Sequence, residues 1–500
     1  MTQRQTWLRQ RRAGVLLHPT SLPGPGPLGD LGDEARRFVD FLADSGFSVW
    51  QMLPVGPVHK DLSPYGAQSS FAGHTGLLGV GPLREQGLVP AGTPTPDARD
   101  PERRTLVARA LETFRSDADS EQRRSHERFL EQHRHWLPDY ALFRVLRRLH
   151  GDRPWYRWPA ALRRRDSAEL DRVRAGNEEA IELECFGQYL FFEQWSGLSA
   201  YARQRGIELF GDMPIYVAHD SADTWCWRHY FTLNANGHRQ ASAGVPPDAF
   251  SATGQLWGNP LYRWEKLAEE DYRWWIDRFD VQCRMFSMLR IDHFRAFDSY
   301  FEVPPGARTA EKGRWRAGPG RAVFDAVFAA LGPLRLVAED LGDITTGVEA
   351  LRRELGFPGM RVLQFAFDGG EDNPHRPANH VPDAVVYTGT HDNDTTLGWW
   401  ESLDGPARTR VLGVLGRPDE PMPVPMIRVA LESESRLAVI PMQDLLGLDS
   451  RARMNMPGTK SGNWRWRFQP EQISPGLVGW ARNMLHETGR FPQGEPEEDQ

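Results

Sequence analysis

The sequence predicts a (β/α)8 barrel, an α/β fold, and three observations carry that expectation. Eight short apolar runs alternate with amphipathic helical stretches along the chain. Three of the runs lead directly into acidic residues, Asp292, Glu339 and Asp392, and a carboxylate at the end of a buried strand needs a partner or a task. The 500 residues exceed the usual single domain, yet a barrel with insertions accommodates 1–500 as one unit.

In order, residues 13–17 read as the first strand and residues 33–45 as an amphipathic helix stopped by Gly46. Residues 48–53 read as the second strand, closing a right-handed strand, helix, strand unit. Residues 91–171 are rich in Arg and Glu, carry helical runs and hold no convincing strand, which predicts a helical insertion. A long helix is expected over 178–204 and the third strand over 207–212. Residues 221–264, rich in Gly, Pro, Trp and Asn, predict an irregular, substrate-covering segment. Strands at 288–292, 335–339, 361–365, 384–387 and 437–442 complete the eight, with no separate C-terminal β-domain. The acidic, Pro-containing residues 493–500 read as a flexible tail.

A hydrophobic fraction of 40% and a charged fraction of 25% are ordinary for a globular chain with a sizeable core. The net charge of -7 and the lack of a basic stripe interleaved with aromatics argue against nucleic acid. No apolar run approaches the ~20 residues that cross a bilayer, and the first residues lack the apolar core of a signal peptide, so a cytoplasmic protein away from membranes is expected. Cys185, Cys226 and Cys283 form no CxxC pair and read as reduced, packed thiols. The 18 tryptophans divide between core packing, expected for most, and flat surfaces on which sugar rings stack.

Cleavage of a glycosidic bond takes two carboxyl groups, one to protonate the departing oxygen and one to attack the anomeric carbon or activate water. Asp292 is flanked in sequence by Arg290 and Arg295, whose charge is expected to keep it ionised. Glu339 follows the apolar Leu336-Val-Ala338, a setting in which an acid keeps its proton. Asp392 lies between His391 and Asn393, polar groups suited to sugar hydroxyls, whereas Asp394 is expected to serve a turn or a helix N-cap. Clustered Asp and His also suit a cation, but that signal is weak, because the other motifs supply arginines in place of hard ligands.

These segments closely resemble the amylomaltase family, the 4-α-glucanotransferases of the α-amylase clan. The matching stretches are Ser63-Pro-Tyr65, Gly211-Asp-Met-Pro-Ile-Tyr-Val-Ala-His-Asp220, Gly244-Val-Pro-Pro-Asp248, Gly254-Gln-Leu-Trp-Gly-Asn-Pro260, Arg290-Ile-Asp-His-Phe-Arg295, Ala338-Glu-Asp-Leu-Gly342, Thr388-Gly-Thr-His-Asp-Asn-Asp-Thr395, Arg453-Met-Asn-Met-Pro-Gly458 and Gly462-Asn-Trp464. The resemblance implies a retaining double displacement on α-1,4-glucan donors and acceptors that needs no metal or organic cofactor, with Asp292 as nucleophile, Glu339 as acid and base, and Asp392 stabilising the transition state. It further implies that Arg290 supports the nucleophile and that Asp212 and His391 hold the sugar at the cleavage point. Tyr65, Gln255, Trp257 and Asn463 become glucan contacts under the same resemblance; separately, a monomer or weak oligomer is expected.

Three stretches depart from the family pattern: residues 63–74, the aromatic-rich Thr224-Trp-Cys-Trp-Arg-His-Tyr230, and Ala296 in place of Gly. An α-1,4-glucan hydrolase would use the same trio, and a non-catalytic glucan-binding protein would keep only the aromatics.

Overall fold

The computed structural model describes residues 7–96, 100–247, 251–459 and 461–492, and the predicted tail 493–500 lies outside them. Eight parallel strands form one sheet that curls into a barrel: β1 Arg12–Leu16, β2 Val49–Gln51, β3 Glu208–Pro214, β4 Met288–Asp292, β5 Leu336–Ala338, β6 Gly359–Val362, β7 Ala384–Tyr387 and β8 Leu437–Pro441. Their order is β6-β7-β8-β1-β2-β3-β4-β5. The seam between β5 and β6 closes through the Ala338 N–H, which donates to the Pro358 carbonyl at 2.9 Å. A side chain supplies the next rung, the Met360 N–H donating to the Asp340 carboxylate at 2.6 Å.

That rung shifts β6 earlier than the sequence predicted, and residues 363–365 form a 3-10 turn where strand was expected. Gly359 makes the rung possible, because a Cβ there would lie 2.2 Å from an Asp340 carboxylate oxygen.

Side chains alternate along each strand between two cores. Leu16, Val49, Phe210, Met288, Val337, Met360, Val385, Tyr387, Leu437 and Val439 fill the barrel interior. Their neighbours Val15, Trp50, Leu209, Leu289, Ala338, Val386 and Ala438 pack outward against the helices. Both faces are therefore apolar, which is why the strands read as continuous apolar runs. The fully buried Phe210 is a sensitive point: Phe210→Ala is expected to destabilise the fold by about 3–5 kcal/mol, read as a lowered urea midpoint.

The helix Asp33–Ser45 buries Phe38 and Leu42 and stops at Gly46, whose φ of 88° lets its N–H reach the Leu42 and Ala43 carbonyls. Within 91–171 the described residues form helices Asp100–Asp117, Ser120–Gln132 and Leu137–Leu149, which pack on the long helix Glu178–Gln204. Residues 221–264 are more regular than expected. Gln255–Leu256 and Ser242–Val245 pair with Ser299–Val303 and Arg314–Ala317 in a four-stranded antiparallel sheet. Such short, Gly-containing strands carry no readable period, and their partners come from the separate connection after β4.

The aromatic departure at 224–230 fills the joint with the helical insertion. The Trp225 indole is buried, donates to the Leu162 carbonyl at 3.0 Å and lies under the Arg165 guanidinium. The three cysteines are unpaired and partly buried, and burial pushes the Cys185 and Cys283 thiols up to about 12.

At the opposite end of the barrel from the strand-end acids, Arg490 is buried and has no carboxylate partner among the described residues. Its guanidinium donates to the carbonyls of Arg12, Leu431, Ser433, Ser435 and Arg436. Among the described residues no helix is long and apolar enough to cross a membrane.

Candidate active site

The site is built on the carboxyl ends of β3, β4 and β5. Arg290 and Asp292 lie two residues apart on β4 and so share the inward face, and register pairs Arg290 with Asp212 of β3. Arg290 Nη1 donates to both Asp212 oxygens at 2.8 and 2.7 Å, and its Nη2 lies 3.0 Å from Asp292 Oδ1. The Tyr65 hydroxyl donates to Asp212 Oδ2 at 2.6 Å. Asp212 is 2% exposed, so its charge is held by these two partners in place of water.

Glu339 follows β5 directly, its N–H donating to the Ile291 carbonyl at 3.0 Å. Its carboxylate accepts the His293 N–H at 2.7 Å and the Leu341 N–H at 3.0 Å. His293 adopts the left-handed φ of 52°, a conformation uncommon outside glycine, at the residue that turns its N–H to Glu339. The residue after Asp292 thereby fixes Glu339.

Asp392 sits in the loop after β7 with its side chain half exposed. Asn455 donates to its Oδ1 at 2.6 Å, Arg453 donates to its backbone carbonyl at 2.6 Å, and the His391 ring lies 3.4 Å from Oδ1. His391 stacks on Tyr65 with ring centres 5.1 Å apart, and burial holds its imidazole below the usual histidine range.

Burial pushes the Asp292 carboxyl up to about 8, opposed by Arg290 and reinforced by Asp212, Glu339 and Asp392. Burial likewise raises Glu339, against Arg290 and its two backbone donors. Asp292 is therefore not the freely ionised acid that two flanking arginines predicted. Arg295 lies beyond the strand end, pairs with Asp343 at 3.5 Å and stacks over Trp315, leaving Arg290 as the cation at Asp292.

The Asn393 amide oxygen accepts from Thr390 N–H and hydroxyl, both at 2.9 Å, and so closes a turn beside Asp392. Thr395 caps the helix Thr396–Ser402, while Asp394 accepts the Ser450 hydroxyl and the Thr395 N–H. Asn463 spends its amide on its own loop, accepting the Met456 N–H at 3.1 Å and donating to the Thr459 hydroxyl at 3.0 Å.

Trp257 is exposed, its ring edge-on to His293 at 4.8 Å, and its indole N–H donates to Gln255 Oε1 at 3.1 Å. Asp212, Arg290, Asp292, Glu339, Asp392, His391 and Tyr65 thus form one connected cluster, with Gln255 and Trp257 as its wall. Asn455 and the His293 N–H are members that sequence reasoning missed. The Arg453–Gly458 motif flagged the first without giving it a role.

A parallel barrel bearing acids of contrasting surroundings at its C-terminal mouth is the class of scaffold on which glycosidic bonds are broken. The sequence profile of the 4-alpha-glucanotransferase family matches residues 17–473, and the chain belongs to that family. It is 44% identical over 496 residues to the 4-alpha-glucanotransferase of Thermus thermophilus, covering 96% of this chain and 99% of that one. It is also 44% identical over 502 residues to the Synechocystis 4-alpha-glucanotransferase, covering 97% and 99%. Amylomaltase from Streptococcus agalactiae, solved in complex with acarbose, superposes with a TM-score of 0.92 at 34% identity, covering 97% of this chain and all of that one.

Proposed function

We propose that the chain carries out its 4-alpha-glucanotransferase reaction by double displacement on Asp292, with Glu339 as the proton carrier. The observation that supports this most is the shared anchoring: Arg290 binds Asp292, and the N–H of the next residue binds Glu339. Two raised acids in one site titrate as a pair. The reactive form of the pair has Asp292 ionised against Arg290, 3.0 Å away, and the proton on Glu339.

In the first step an Asp292 oxygen bonds to the anomeric carbon, the bond to the departing O4 breaks, and the Glu339 proton passes to that oxygen. In the second, Glu339 takes the proton of an acceptor 4-hydroxyl, whose oxygen attacks the anomeric carbon and releases Asp292. Asp392, held by Asn455, accepts hydrogen bonds from ring hydroxyls as the sugar flattens. Trp257 walls the cleft, and exclusion of water there favours a sugar over water as acceptor.

The substrates in this scheme are maltooligosaccharides and starch chains, the protein acts alone or in a weak oligomer, and it needs no cofactor, nucleic acid or membrane. Three unpaired cysteines support residence in a reducing cytoplasm.

Incubation with maltotriose tests the scheme: glucose plus oligomers longer than the substrate are expected, and glucose with maltose alone would mark a hydrolase. Asn455→Leu is expected to lower kcat about tenfold with little change in KM, since it frees Asp392 without removing it. An unchanged kcat would separate Asp392 from the chemistry.

A further inference from the structure

Of the 18 tryptophans, only Trp257 and Trp315 are exposed, each at 38%. Both belong to the small antiparallel sheet, Trp257 directly after its strand Gln255–Leu256 and Trp315 within Arg314–Ala317 at the opposite edge. Leu256, Gly244, Phe301 and Trp315 stand in register across its four strands. Three strand spacings separate the two edges, roughly 14 Å. The Trp257 edge borders the cleavage point through His293.

The Trp315 edge is tied to the same mouth by other contacts. Its ring lies 3.8 Å from the Arg295 guanidinium, and Arg295 pairs with Asp343 at 3.5 Å. Arg295 comes just after Asp292, and Asp343 just after Glu339. Trp315 is thus fastened to the two loops that leave the reacting acids.

The ring is also built to stay in place. Phe301 meets it edge-on at 5.1 Å, and Arg295, 7% exposed, covers part of it as a fixed cation. Among the described residues Arg295 Nε has no hydrogen-bond partner and Nη1 meets only Asp343, so the guanidinium is held largely by the ring it covers. A preorganised indole, left partly bare in a protein whose substrate has apolar sugar faces, binds at little cost in ordering.

We propose that Trp315 is the platform of an outer glucan subsite, taking a glucosyl unit of a long chain whose other end occupies the cleavage point. This rests on the transferase scheme above only for the identity of the ligand. Short substrates do not reach Trp315, so the subsite acts on long chains alone.

Steady-state kinetics of Trp315→Ala on maltotriose and on long linear amylose test it. KM for amylose is expected to rise about threefold to tenfold, with kinetics on maltotriose within twofold of wild type and Trp315→Phe in between. Equal effects on both substrates, or none on either, would overturn the subsite. Trp315→Thr, suited to an exposed strand, serves if the Ala variant fails to fold. A wild type that only hydrolyses maltotriose would overturn the transferase scheme, while the contrast between short and long chains would still decide the role of Trp315.

Discussion

Asp292→Asn is expected to lower glucan transfer by about ten-thousandfold or more while leaving the fold intact and, above neutral pH, more stable than wild type. Asn occupies the same volume, and its amide still meets Arg290, but it forms no ester with the anomeric carbon. The gain in stability follows from burial of the Asp292 carboxyl, which Arg290 opposes and the neighbouring Asp212, Glu339 and Asp392 reinforce. In the native state Asp292 holds its proton up to about 8, whereas the unfolded chain releases it near 3.8. Between these values the native state binds more protons, so each rise in pH costs wild-type stability. Asn has no such proton to lose. The difference in urea midpoint between variant and wild type should therefore widen from pH 5 to pH 9. A constant difference would place the strain elsewhere, and retained transfer would remove Asp292 from the mechanism.

Arg290→Met is expected to destabilise the protein by about 3–5 kcal/mol and to abolish transfer, because Asp212 is left buried without its cation. The two effects separate in a second variant. Arg290→Met with Asp212→Leu replaces the buried pair by apolar groups and should regain most of the lost stability. Activity should not return, since Asp292 still lacks its counter-charge and Tyr65 has lost the acceptor that holds it. Recovery of transfer in the double variant would show that Arg290 acts only through the fold.

Much of this site was legible because strand chemistry is local. Asp292 and Glu339 stand at the ends of apolar runs, and the mismatch between their charge and their surroundings is visible in a few letters. The partners were less legible. Arg290 and Arg295 look equivalent beside Asp292, but a strand alternates faces, so Arg290 points inward with Asp292 whereas Arg295 follows a turn and leaves the site. Asn455 reaches Asp392 across a gap of 63 residues that no local pattern bridges. The small sheet escaped for the same reason, since its strands come from two different connections. Trp225 shows the converse limit: an aromatic run in an irregular segment suggests a binding surface, yet the indole closes a joint between two packed units.

Arg490 has a consequence for the order in which the molecule assembles. Its guanidinium binds carbonyls beside β1 and β8, and β1 is itself a neighbour of β8. During synthesis the first strand emerges early and waits while more than four hundred residues follow, so its edge is unpaired on one side until β8 arrives. Folding on the ribosome can build the β1 to β5 portion progressively, but the ring waits for β8 and its lower clasp for Arg490. Nascent chains halted before β8 leave the tunnel as open arcs with the β1 edge bare, and they are the form of this protein that most needs a chaperone.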